Sequence, residues 1–192
     1  MCPTETLNIH DWILQNRTNM RLMFLSSNSS SHAFEFLKNN PGYIDWGLLS
    51  SNDCHYATTM LLRNIDKIHW PSLSRNTSPH IGNILNNNQE YINWGALSRN
   101  PSQYALALLE TNQDKILWSQ LSGNPSLKAI ELLEKNPGNI DWYNFSCNNI
   151  FNCQEYTSRL NQDNINSLLL FIKNNQDKFI WDKLWSSPII FT

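Results

Sequence analysis

Charge is scarce in this chain of 192 residues: charged side chains make up 16% of it, and the two signs nearly cancel to a formal −2. No basic excess marks a nucleic-acid surface or a polybasic membrane contact. No apolar run approaches the ~18 residues that a bilayer-crossing helix needs. The opening residues, MCPTETLNIHDW, have neither the basic start nor the apolar centre of a secretion signal. These absences argue for an intracellular protein with no nucleic-acid partner and no membrane partner. Cysteine is sparse too. Cys2, Cys54, Cys147 and Cys153 form no Cys-x-x-Cys pair and no disulfide-like spacing, so they read as buried or idle thiols in a reducing compartment.

The residues that carry chemistry are equally thin. Six scattered glycines build no phosphate-cradling loop, and neither a nucleophile elbow nor a paired-carboxylate arrangement occurs. Among His10, His32, His55, His69 and His80 there is no H-x-x-x-H pair, and the adjacent Cys54–His55 is poor geometry for two ligands on one metal. The expectation is a protein that is not an enzyme, with no catalytic residue, no cofactor and no metal.

What the chain has instead is asparagine, about one residue in seven, set in a strict repeat. Trp46, Trp70, Trp94, Trp118 and Trp142 recur every 24 residues, while Asn recurs every 12, from Asn16 through Asn28, Asn40 and onward to Asn148. Each 24-residue unit is therefore two half-units, each closed by Asn.

Counted from the residue after that Asn, the first half-unit holds Ala33, Ala57, Ile81, Ala105 and Ala129 at its fifth position. Phe36, Met60, Ile84, Leu108 and Leu132 stand at the eighth, with a leucine always at the ninth. Positions five, eight and nine share one face of a helix of about ten residues. Pro101 and Pro125 suit the first position of that helix, which makes Asn100 and Asn124 its N-caps, with Gln103 able to complete a capping box. Asn40, Asn112 and Asn136 then close the helix, where Asn tolerates the left-handed conformation. In the second half-unit an Ile and a frequent cap residue (Asp45, Asn93, Asp141) precede Trp. A Leu or Phe lies three places beyond it, the spacing of a hydrophobic staple around a helix of about seven residues. A serine ladder, Ser26 to Ser146, stands at the helix end.

Read together, these features predict an all-α fold: an α-solenoid of about seven 24-residue helix-turn-helix repeats with atypical capping ends. The whole of 1–192 reads as a single helical repeat domain. Residues 1–16 are its N-terminal cap helix, 17–148 the regular repeats and 149–192 an irregular C-terminal cap containing one longer helix around LLLFI. Two ladders invite functional readings. The tryptophans could form an aromatic binding stripe, but one per unit between Ile and Leu reads as a structural core column. The asparagines could read bases, but their place at every helix boundary reads as capping. At the fourth position of the first helix stand His32, Tyr56, His80, Tyr104 and Lys128. This line flanks the apolar stripe, and polar-tipped rings are favoured at interfaces; His32, Tyr56, His80 and Tyr104 are the candidate partner-binding residues.

The strings NPSQYALALLETNQDKILWSQLSGNP and NPSLKAIELLEKNPGNIDWYNFSCN resemble the NPxAIxLLExNPxKIDWxxLSxNP repeats of proteins encoded, often in many copies, by giant DNA viruses of amoebae. The resemblance spans about residues 16 to 148. Departures include Leu22 where Trp belongs, Thr77 where Pro belongs, and the slipped register after Asn148. It implies a viral origin and an interaction or structural role, and it lends no catalytic residue. The expected function is thus a protein-protein interaction or scaffold module whose partner is another protein, host or viral, in the host cytoplasm or the virion. The alternative is a minor structural component of the virus particle; a nucleic-acid-binding helical repeat comes third.

Overall fold

The computed structural model describes residue 15, residues 22–152 and residues 160–184, and among these it is all helical, with no strand. The expected cap helix over 1–16, Cys2, His10, Cys153 and the chain beyond 184 lie outside the described residues, Gln15 excepted. Two compact units are present, Met1–Ile81 and Gly82–Thr192.

In the first unit, a 3-10 segment (Leu22–Ser27) precedes α1 (Ser31–Asn39), α2 (Trp46–Ser51), α3 (His55–Leu62) and α4 (Trp70–Arg75), and the unit closes on the turn Pro79–Ile81. The longer helices pair, α1 on α3, and the tryptophan helices pair, α2 on α4, giving two layers. The second unit runs α5 (Gly82–Asn86), α6 (Trp94–Ser98), α7 (Gln103–Thr111), α8 (Trp118–Ser122), α9 (Leu127–Glu134), α10 (Trp142–Ser146), α11 (Asn149–Asn152), α12 (Gln162–Asn174) and α13 (Trp181–Leu184). There α5, α7 and α9 form one layer and α6, α8 and α10 the other.

The apolar face expected of the longer helices is the buried one. The fifth-position residues and the ninth-position leucines are buried throughout the described residues. Position six belongs to that face as well: Phe34, Thr58, Leu106 and Ile130 are buried. Met60, at the eighth position, is only half-buried.

Each longer helix ends on Asn for a different reason from the expected one. None of the described residues has positive φ, and Asn112 and Asn136 sit at φ −132°. The side chain supplies the termination. The amides of Asn40, Asn64, Asn88, Asn112 and Asn136 each donate to the carbonyl four residues back, at 2.7–3.0 Å. That satisfies one of the carbonyls a helix end leaves free. A 3-10 turn comes next, and the short tryptophan helices open on caps where expected: Asp45, Asn93 and Asp141 accept the amide hydrogens of Leu48, Ala96 and Asn144 at 2.8–3.0 Å.

The other asparagines are not N-caps, and this corrects the reading of Asn100 and Asn124. The caps are Ser102 and Ser126, two residues later, so Pro101 and Pro125 precede the helix rather than open it, and Gln103 completes no capping box. Asn124 is fully buried. Its Nδ2 donates to the carbonyls of Ser98 and Asn100 at 3.0 Å each, one repeat back, while its Oδ1 accepts the Ser126 amide hydrogen at 3.0 Å. Asn148 repeats the pattern on Ser122 and Asn124. In the first unit Asn52 and Asn76 do the same on Ser26 and Asn28, and on Ser50 and Asn52. All three hydrogen-bonding groups of the amide are used, two of them between repeats.

The serine ladder completes this joint. Ser50 and Ser122 are fully buried, and their hydroxyls accept the amide hydrogens of His69 and Asp141, 19 residues on. Ser98 and Ser122 also donate to Trp94 and Trp118, a turn back. Ser146 receives its amide hydrogen from Ile180, 34 residues on rather than 19. The tryptophan motif at 181 thus docks where the next unit's would, and the slipped register is the length of the excursion through α11 and α12. Phe145, Phe151, Phe171 and Phe179 fill the space beneath, with ring centroids 5.3–6.2 Å apart.

Candidate functional site

The tryptophans are not the centre of the core. All five are half-buried, whereas Leu49, Leu73, Leu97, Leu121 and Phe145, three places on, have no exposed surface. Each tryptophan opens its short helix of five or six residues with part of its surface accessible. Lys115 covers the Trp94 ring at 4.7 Å, and Lys178 covers Trp142 at 5.3 Å beside the stacked ring of Phe171.

Trp46 instead faces a groove in the first unit. This groove, about 570 Å³, lies between α1 and α3. Phe34, Leu37, Ile44, Trp46 and Met60 line its apolar part, and Met60 is half-buried for that reason. Ser31 and Tyr56 come from the first turns of the two helices, Glu35 and Thr59 from their middles, and Lys38 and Arg63 from their last turns and cap. The volume lies within the ~300–1,000 Å³ of pockets that bind discrete ligands.

The candidate line of rings divides between the two units. His32, Tyr56 and His80 are exposed in the first. Tyr56 stacks on Phe34, with centroids 5.6 Å apart, and its next aromatic neighbour is His55 at 6.3 Å; His55 in turn meets His80 edge-on at 5.3 Å. The line therefore runs through Phe34 and His55, which periodicity alone did not single out. Phe34 carried a usable signal: position six is apolar in most repeats.

Tyr104, in the second unit, is held differently. Gly82, at position six of its half-unit, opens α5, and a Cβ there would lie 3.4 Å from the Tyr104 Cβ, so the tyrosine packs directly beside this glycine. The phenol accepts a hydrogen bond from Asn100 at 3.3 Å. Burial pushes its pKa up, and the hydrogen bond from Asn100 opposes that in part. It serves the asparagine joint more than a free surface. Lys128, next in the line, bridges to Glu110 at 2.8 Å and Glu131 at 3.4 Å, and these carboxylates raise its pKa.

A depression of about 470 Å³ occupies the equivalent place in the second unit, lined by Pro101, Gln103, Leu106, Ala107, Glu110, Ser126 and Lys128. The shape recurs while the chemistry changes: Leu106 replaces Phe34, Ala107 replaces Glu35, Glu110 replaces Lys38 and Lys128 replaces Tyr56. Here the ion pair spans from helix to helix. In the first unit an aromatic ring stands where that lysine would be.

Cys54 caps α3, its sulfur accepting the Ala57 amide hydrogen at 3.5 Å, and Cys147 is an exposed free thiol. Cys54 fills the second position of its half-unit, where other repeats place serine, so its role was legible as a cap. Among the described residues no three His, Cys, Asp or Glu side chains gather into a metal-binding group, and no helix is long and apolar enough to cross a membrane. Comparison of the chain with protein-family models, curated proteins and solved structures finds no match.

Proposed function

We propose that this chain is a non-enzymatic α-solenoid of 24-residue repeats that binds another protein, and that the groove between α1 and α3 is where it does so. The bonds that Asn52, Asn76, Asn124 and Asn148 make to the repeat before each of them support the solenoid reading, because they join those repeats by the same contacts. The observation that carries the binding reading is the groove itself. It is an apolar, aromatic concavity rimmed by polar-tipped side chains, the composition favoured where proteins meet. The resemblance to repeats encoded by giant DNA viruses extends the proposal to a viral protein acting on a host or viral partner.

The test is affinity capture with the full chain from amoebal lysate, infected and uninfected, beside a variant whose groove is filled by Thr59→Trp. The reading expects a stoichiometric partner held by the wild type and lost with the variant. Recovery of no stoichiometric partner from either lysate refutes it.

A further inference from the structure

Resting on that reading, we propose that the groove between α1 and α3 receives an acidic peptide segment, with one bulky apolar side chain on the floor and a carboxylate about three residues away, held by Lys38 and Arg63. Charge complementarity on a fixed geometry selects this ligand. Lys38 and Arg63 are exposed, both line the groove, and neither makes an ion pair among the described residues. Glu35 is the single carboxylate among the lining residues, so the rim carries a net positive charge.

The second unit supplies an internal comparison. There the position of Lys38 is taken by Glu110, and a lysine at the position of Tyr56 reaches across to it at 2.8 Å. That depression satisfies its own charges. The first leaves two cations beside Phe34, Trp46 and Met60, which suits an anionic ligand with an apolar body. A guanidinium also matches the two oxygens of a carboxylate in a bidentate fork.

The spacing comes from helix geometry. Ser31 and Lys38 are seven residues apart on α1, about 10 Å at 1.5 Å per residue. An extended peptide covers that in about three residues at 3.3–3.6 Å each. The ring of Tyr56, itself stacked on Phe34, gives the apolar anchor an aromatic wall.

The experiment uses the full chain and fluorescein-labelled nine-residue peptides, each with one Phe and one Glu in a Ser/Gly background. The Phe–Glu separation is varied from one residue to six, and binding is read by fluorescence anisotropy. Binding is expected to be tightest at a separation of about three. Lys38→Glu with Arg63→Glu should weaken it at least tenfold and favour the matching peptide that carries Lys in place of Glu. Circular dichroism checks that the double variant is folded, as its exposed sites lead one to expect. A flat response to separation, or affinity unchanged in the double variant, overturns the inference. So does tighter binding of a ten-residue oligothymidylate in the same groove. If the peptides fail while the wild type still captures a lysate partner, this inference falls and the broader reading stands; if both fail, both fall.

Discussion

Replacing Asn124 by alanine removes one small polar side chain from a site with no exposed surface, and the structure says what it leaves behind. Two carbonyl oxygens, of Ser98 and Asn100, lose donors at 3.0 Å, and the Ser126 amide hydrogen loses its acceptor at 3.0 Å. A hydrogen bond contributes about 1 kcal/mol net, and more when its loss strands a buried partner. Three such bonds set the expected cost at about 3 kcal/mol, rising toward about 5 if water does not enter to replace the amide. Asn136 is the control of the same residue type. It is half-buried and makes one such bond, to the Leu132 carbonyl at 2.9 Å, so Asn136→Ala should cost only about 1 kcal/mol. Urea unfolding monitored at 222 nm gives both values, and an unchanged denaturant slope licenses reading midpoint shifts as stability. If Asn124→Ala and Asn136→Ala cost the same within about 0.5 kcal/mol, the idea that one series joins repeats while the other merely ends helices is refuted.

The core assignment predicts that Leu97→Ala, at a site with no exposed surface, costs about 3–4 kcal/mol, while Trp94→Ala, half-exposed under Lys115, costs about 2. Chemical denaturation of the two variants decides it, and a larger loss for the tryptophan would restore it to the centre of the core. Tyr104 gives a pH prediction. Burial raises its folded pKa above the ordinary value of 10.0, so the folded state holds the phenolic proton more tightly than the unfolded chain. Its contribution is complete below pH 10 and is lost as pH rises through the folded pKa. Tyr104→Phe should flatten the alkaline fall in stability above pH 10, and an unchanged slope would rule that origin out.

The helical character of this chain and the faces of its helices were legible because both depend on local order in the sequence. A residue at positions five, eight and nine of a helix faces one way whatever surrounds it, and Asp45, Asn93 and Asp141 can cap only the helix that starts at the next residue. The 12-residue asparagine mark was equally visible, yet it conceals two kinds of site. Asn136 bonds within its own helix end, four residues away. Asn124 bonds 24 and 26 residues away. Both precede a proline, and locally they differ in the pair of serines, Ser122 and Ser126, flanking Asn124 where Asn136 has Glu134 and Gly138. Burial between repeats makes the difference, and burial is a property of packing.

The same division runs through the candidate site. Position four was visible as a line of rings, and Tyr56 does border a groove. That Phe34 and Trp46 share the groove with it, while Tyr104 is folded over Gly82, depends on which helices lie side by side. By itself, then, the sequence determined that the chain is helical, where its repeats begin and which face of each longer helix turns inward, because periodicity and capping are written at spacings of a few residues. Only the tertiary structure decided that leucine rather than tryptophan fills the core, that Asn and Ser join one repeat to the next, and that the first unit leaves an unpaired basic rim beside an apolar groove. Those outcomes depend on volume, burial and charge pairing between residues that the sequence holds roughly two dozen positions apart.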